Sequence, residues 1–215
     1  MIPLLALSLA CSQPSLLATI PGATRVTELA NGELLVGTAS GELWLVTSFG
    51  ETKQLADLGE GPVAELVSDP LGRFWARAGD GAVYTGGIWS SLTKVAAEAA
   101  LLVRGCEATV WIPTQTLQRG VTARALFATC EAYVDGTADG RVQGRSVTSE
   151  RITRVQAVDD GVLWVDSAGR AGCMDCAASP PNDGVVDAIS LHLAPFIAGE
   201  VVWIDREGGL WVAPS

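Results

Sequence analysis

Residues 31–46 read NGELLVGTASGELWLV: two short apolar runs on either side of a Gly/Ser turn, which is the pattern of a β-hairpin. The hairpin recurs, and its recurrence constrains the fold more than any single residue does. RVTELANGELLVGTASGELWLV (25–46) aligns with PVAELVSDPLGRFWARAGDGAVYTG (62–86), with RVQAVDDGVLWVDSAGRAG (154–172) and with IAGEVVWIDREGGLWVA (197–213). Weaker copies are GCEATVWIPTQTLQRGV (105–121) and TCEAYVDGTADGRVQGRSV (129–147). The segments between hairpins repeat as well, LATIPGATRVTEL (17–29) paralleling LADLGEGPVAEL (55–66). A full unit therefore holds four strands: an inner strand such as VTEL, two hairpin strands, and an outer strand such as KQLADL.

One such unit cannot cover both of its faces, so several must stack. The composition agrees. Hydrophobic residues make up 48% of the 215 and mean hydropathy is +0.31, yet the apolar residues come as short runs separated by Gly, as suits strands buried on both faces. No run approaches the roughly 20 apolar residues that a membrane-spanning helix requires. Repeated four-stranded units predict an all-β fold, a β-propeller of short blades. Six hairpins over residues 17–215 give six blades of about 33 residues, short against the roughly 40–50 of common propeller repeats; five blades is the alternative. The chain ends on GGLWVAPS, a third strand without a fourth, and SLLATI (15–20) reads as an outer strand with no blade before it. The N-terminal strand is thus expected to complete the last blade and close the ring.

GELLVGTASGELWLV, GVLWVDSAG and EVVWIDREGGLWV resemble the two-component-regulator propeller repeat and the streptogramin-lyase-like propeller repeats, which share an apolar–Trp–apolar strand, an Asp/Gly turn and a second strand. The first resemblance implies a sensor or interaction module. The lyases of the second depend on acid–base His residues, and the lone His192, alternating with Leu191 and Leu193, has no evident match among them; it reads as a structural histidine. No G-x-S-x-G, Walker loop or H-E-x-x-H occurs. Trp44, Trp75, Trp164 and Trp203 stand at similar places in the hairpins and are expected to pack between blades.

In a propeller the turns between the second and third strands share one face with the crossings between blades. The sequence puts Asp80, Asp135, Asp139, Asp166, Asp205 and Glu207 in those turns, at equivalent loop positions. Together they would form an acidic rim able to attract a basic partner or a divalent cation such as Ca²⁺. The competing reading is that Asp belongs in β-turns because its side chain bonds nearby backbone N–H groups. No cofactor is otherwise expected. The net charge of −10 and pI near 4.5 argue against nucleic-acid binding and against attraction to anionic lipid.

MIPLLALSLAC opens the chain. Residues 1–10 look like a secretory signal, and Ser8-Leu9-Ala10-Cys11 resembles the cleavage box of bacterial lipoproteins, which implies lipidation at Cys11, a linker over 11–16 and the propeller over 17–215. Ser12 after Cys11 would by the same resemblance favour the outer membrane over the periplasmic side of the inner one. In an exported chain the remaining Cys106, Cys130, Cys173 and Cys176 suggest disulfides. CEATV (106–110) and CEAYV (130–134) are near copies, which favours Cys106–Cys130 and leaves Cys173-Met174-Asp175-Cys176 to close its own loop; free thiols, a metal half-site or a redox dithiol are the other readings of that CxxC. The functional expectation is a non-catalytic exported propeller binding a protein or small ligand at the bacterial cell envelope, touching membrane only through the anchor. The alternative is a metal-assisted hydrolase or lyase at the acidic face.

Overall fold

The computed structural model describes residues 14–59, 61–69, 72–97, 101–104, 109–112, 123–128, 133–158, 161–176, 178–191 and 200–214, with backbone alone between 101 and 135. Cys11, Cys106, Cys130 and His192 lie outside these residues. Among the described residues the secondary structure is entirely β, in six antiparallel sheets. The first in chain order joins β2 (Ala23–Glu28), β3 (Leu34–Thr38), β4 (Glu42–Val46) and β5 (Thr52–Asp57). The second joins β6 (Val63–Ser68), β7 (Arg73–Ala78), β8 (Val83–Gly87) and β9 (Ser90–Ala96). Next come the pair β10 (Leu101–Arg104) and β11 (Thr109–Ile112), then β12 (Ala123–Ala128), β13 (Tyr133–Thr137), β14 (Arg141–Val142) and β15 (Arg145–Ser146). The fifth holds β16 (Ile152–Val158), β17 (Gly161–Asp166) and β18 (Ala171–Met174). In the last, β19 (Val185–Ser190), β20 (Glu200–Asp205) and β21 (Gly209–Pro214) are joined by the N-terminal β1 (Ser15–Thr19), which pairs with β21.

Each described inner strand packs beside the next: β19 by β2, β2 by β6, β6 by β10, β10 by β12, β12 by β16, β16 by β19. The core is a series of layers between neighbouring sheets. Ile189, Val202, Ile204 and Leu210 of the last sheet meet Val26, Leu34 and Val36 of the first. Leu35, Leu43 and Leu45 on the opposite face of the first meet Leu66, Phe74 and Ala76 of the second. Hence LLVGT has no polar face: β3 is buried along its whole length. Sizes across the layers are complementary. Gly37 and Gly136 occupy equivalent places, and a Cβ at either would come within 2.5 Å of Val63 or 2.3 Å of Ile152 on the neighbouring inner strand. The equivalent residue in the last sheet is Ile204, and there the neighbouring inner strand begins with the smaller Ala23 in the same cluster.

One turn is used again and again. In Thr38–Gly41, Thr47–Gly50, Asp69–Gly72, Ala78–Gly81, Thr137–Gly140, Asp166–Gly169 and Asp205–Gly208 the fourth residue's N–H bonds the first residue's carbonyl. That fourth residue is always Gly, at φ between 79° and 95°, where a side chain is disfavoured. This is the type I turn with a left-handed glycine that suits a twisted hairpin. Where the first residue is Thr or Asp, its side-chain oxygen also accepts the N–H four residues on, at Glu42, Glu51, Arg73, Arg141, Arg170 and Gly209.

The tryptophans do not all fall on equivalent positions. Trp164 and Trp203 do, opposite Gly172 and Trp211 on the third strands. Trp75 is one residue out of that register, and Trp44 lies on a third strand, where its counterpart is Trp211. A shift of one residue along a strand moves the side chain to the other face, so Trp75 packs against Val83 and Val67 in a separate cluster.

Candidate functional site

The face holding the turns between second and third strands also holds the crossings between sheets: a Cβ at Gly41, in the β3–β4 turn, would lie 2.7 Å from the Gly61 carbonyl in the β5–β6 crossing. The structure divides the six acidic residues assigned to this face. Asp135 is not in a turn. It pairs with Leu126 inside β13, because Thr137 takes the first turn position and the strand runs on to meet it.

Asp166 and Asp205 are the last residues of their second strands and are buried, 2% and 6% exposed. Their oxygens point into their own turns. Asp166 Oδ1 accepts the N–H groups of Ala168 and Arg170, both at 2.9 Å, and Oδ2 accepts Arg170 Nε at 2.8 Å and the Thr148 hydroxyl at 2.7 Å. Asp205 Oδ1 accepts from Glu207 and Gly209, and Oδ2 takes Trp211 Nε1 at 2.7 Å. Burial pushes both carboxyls up, but it is outweighed. Hydrogen bonds led by Thr148 for Asp166 and by Trp211 for Asp205 hold both below the usual carboxylate range. Of the remaining acids, Asp80 accepts the Ala82 N–H at 2.8 Å. Asp139 accepts from the Thr137 hydroxyl and pairs with Arg141 Nε at 3.2 Å, and the Thr137 bond is the leading cause of its lowered pKa. Glu207 is exposed. Among the described residues, no three Asp, Glu, His or Cys side chains converge as a metal site. Cys173 and Cys176 are joined in a local disulfide.

The concavity on this face is lined by arginine. A cavity of about 180 Å³ lies where β2, β16 and β19 begin, bordered by Arg25, Thr153, Asp166, Ser167, Val186 and Arg206. Arg206 reaches across from the β20–β21 turn to donate to the Ala168 carbonyl in the neighbouring β17–β18 turn. It lies over two left-handed glycines, and a Cβ on Gly169 or Gly184 would come within 2.8 or 3.5 Å of it. Arg25 is held from below, Nε donating to the Ala64 carbonyl and Nη1 to that of Thr24, both at 2.6 Å.

Sequence reasoning missed the charges beneath this cavity. Arg25, Glu65, Arg154 and Asp187 are each the third residue of an inner strand, and each follows a bulge at the same register position. A bulge re-aims the side chains that follow it. Asp187 is fully buried; Oδ2 accepts the Val26 N–H at 2.9 Å, and Oδ1 stands 3.1 Å from Arg154 Nε without hydrogen-bond alignment. Glu65 pairs with Arg77 at 3.2 Å. Burial lowers the Arg25 pKa, the Asp187 charge opposes it, and Arg154, Glu65 and Arg77 act on it as well. Among the described residues, Arg25, Arg77, Arg154, Glu65 and Asp187 thus act on one another as a cluster of mixed charge. The signal was present in ATRVTE, VAELVS, ITRVQA and VVDAIS, each with one charge at its third place.

No protein-family model matches the chain, and no curated protein matches it. Among solved structures it is similar to Sqt1 of Saccharomyces cerevisiae (TM-score 0.58, 11% identity, covering 95% of this chain and 100% of that one). It is also similar to the Cps50 (Swd1) β-propeller domain of Myceliophteria thermophila (TM-score 0.49, 11% identity, 92% and 88%) and to the computationally designed Ika8 protein (0.45, 13%, 93% and 99%). At these identities the likeness to Sqt1 is one of fold. Among the described residues the fold is all-β, with four of the six antiparallel sheets four-stranded and the first strands of successive sheets side by side in a propeller-like arrangement.

Proposed function

We propose that this chain is a six-bladed β-propeller, closed by β1, that works as a non-catalytic binding or scaffold module at the bacterial cell envelope, exported by residues 1–10 and anchored through Cys11. The blade count is supported by the six sheets and by the succession of inner strands from β19 through β2 back to β16. Export and anchoring rest on the sequence MIPLLALSLAC. The observation that carries the binding reading is the cavity bordered by Arg25 and Arg206. It lies on the face of a propeller where binding loops gather, and its polarity is cationic, since Asp166, the one carboxylate among the described residues on its wall, has both oxygens engaged in its own turn. The partner is therefore a protein side chain or small molecule that presents an acidic group, recognised by guanidinium donors. That commitment of Asp166 and Asp205 to turn hydrogen bonds favours this reading over metal-assisted hydrolysis at the same face.

A thermal-shift screen tests it. Small di- and tricarboxylates and phosphate are each compared with Ca²⁺, Mg²⁺ and Zn²⁺, in the native chain and in R206S. A ligand at a hundredfold its Kd stabilises by about 2.7 kcal/mol, or roughly 5–10 °C for a domain of this size. A rise with an anion that disappears in R206S supports the proposal; a rise with the cations alone returns the metal reading. Mass spectrometry of the mature N-terminus tests the anchor, and an unmodified residue upstream of Cys11 refutes it.

A further inference from the structure

The opposite face carries a second, different surface. Its turns join third to fourth strands, and two of them are tipped by aromatic side chains. Phe49, in the β4–β5 turn, is 88% exposed, and Trp89, at the tip of the β8–β9 hairpin, is 96% exposed. They stand at corresponding turns of consecutive sheets. The preceding sheet brings β1 to the same edge. Its first residue, Ser15, pairs with Val212 near the end of β21, as Thr52 pairs with Val46 and Ser90 with Gly87. The β4–β5 turn touches it: a Cβ on Gly50 would meet the Leu17 carbonyl. Leu16, half exposed, lies on this strand. Of the four large apolar side chains exposed among the described residues, three (Leu16, Phe49 and Trp89) belong to this edge.

From the geometry we infer that this edge is a membrane-docking surface, on which Phe49 and Trp89 enter the headgroup region of the bilayer that holds Cys11. The inference rests on the proposed lipidation of Cys11. Only Ser12, Gln13 and Pro14 separate Cys11 from Ser15. Four residue steps span at most about 14 Å even fully extended. A lipid on Cys11 therefore keeps this edge at the bilayer surface, where Trp is favoured because its ring is apolar and its N–H is wet. Because the chain carries a net charge of −10, attraction to anionic headgroups does not supply the contact. Docking is through the rings and is nearly independent of salt. The anchored edge then turns the Arg25–Arg206 cavity, on the opposite face, away from the membrane.

The lipidated chain is reconstituted in phosphatidylethanolamine/phosphatidylglycerol vesicles brominated on the acyl chains, and tryptophan emission is compared with that of W89F. The expected result is a quenched component that W89F lacks, unchanged by added salt, with at least a threefold loss of acrylamide access to Trp89. With Cys11 shown by mass to be lipidated, an unquenched Trp89 overturns docking and leaves the anchor standing. If Cys11 proves unmodified the anchor fails, and C11S is floated with the same vesicles. At least a tenfold loss of partition in C11S/F49S/W89S then upholds docking, and equal partition overturns it. Protection of Trp89 by concentration-dependent self-association without lipid also overturns it, in favour of a second copy.

Discussion

Asp187 is the residue whose removal tests most directly how the inner strands are held. It belongs to β19 yet ties three sheets, through its ion pair with Arg154 of β16 at 3.1 Å and its bond from the Val26 N–H of β2 at 2.9 Å. It is fully buried, and the Arg154 side chain is 17% exposed. D187A leaves Arg154 and Arg25 without their shared anion. Breaking a buried pair by removing one partner costs about 3–5 kcal/mol, most of it the penalty of the charge left behind. For a domain of this size, at about 2–4 °C per kcal/mol, the melting temperature falls by roughly 6–20 °C. D187N keeps an acceptor for Val26 and loses the charge, so it retains most of the loss if the cause is electrostatic. R154M/D187L removes both charges and fills the space. It is expected to recover to within about 1–2 kcal/mol of the parent, because a matched apolar replacement of a buried pair is often near neutral. Urea denaturation at neutral pH, followed by far-ultraviolet circular dichroism, gives the free energies of the parent, of these variants and of the single variants R154M and D187L. A loss in D187A below about 1 kcal/mol, or a double variant as unstable as the two single losses added, refutes the reasoning.

Two further outcomes follow from packing and from the turns. G37A places a methyl 2.5 Å from Val63 Cγ1 and is expected to cost about 1–3 kcal/mol by overpacking; adding V63A returns part of the loss in a double-mutant cycle, and strict additivity contradicts the size-matching account. Asp166 and Asp205 titrate below their unfolded-state values, so their contribution is full above the ordinary carboxylate range near pH 4 and is lost as pH falls through their folded pKa values. The acid side of the stability profile is accordingly flatter in D205N than in the parent, and an unchanged acid slope speaks against the turn hydrogen bonds as its source.

The fold was legible because its signal is redundant. Short apolar runs on either side of a Gly-containing turn recur through the chain, and the hairpins predicted within 25–46, 62–86, 154–172 and 197–213 are observed, whereas the copy over 105–121 lies largely outside the described residues. The partnership of β1 with the last sheet was legible too, since SLLATI reads as an outer strand and β1 is observed paired with β21. The site was less legible. Asp166 and Asp205 are plain in the sequence, but whether a turn carboxylate is buried or exposed depends on whether it holds the first or the third position, and each alternative looks alike as a D near a G. Trp75 shows the same limit: its sequence context resembles that of Trp164 and Trp203, yet it lies one residue out of register and on the other face. The inner-strand charges escaped notice because each is an isolated residue in its own strand. They become a cluster only when bulges and sheet order bring Arg25, Glu65, Arg154 and Asp187 together.

The pairing of Ser15 with Val212 and of Thr19 with Gly209 joins the first and the last of the described strands. Until residues 209–214 have been synthesised, β1 has no edge to join, and β21, once formed, offers that edge to any strand of the right sequence. The contact is intramolecular only because each molecule's own β1 is held at high local concentration by the sheets between. At high protein concentration, or in a chain whose middle sheets are loosened, the same seam accepts the β1 of another copy. The strand that completes the last sheet is therefore also the element through which two copies would exchange.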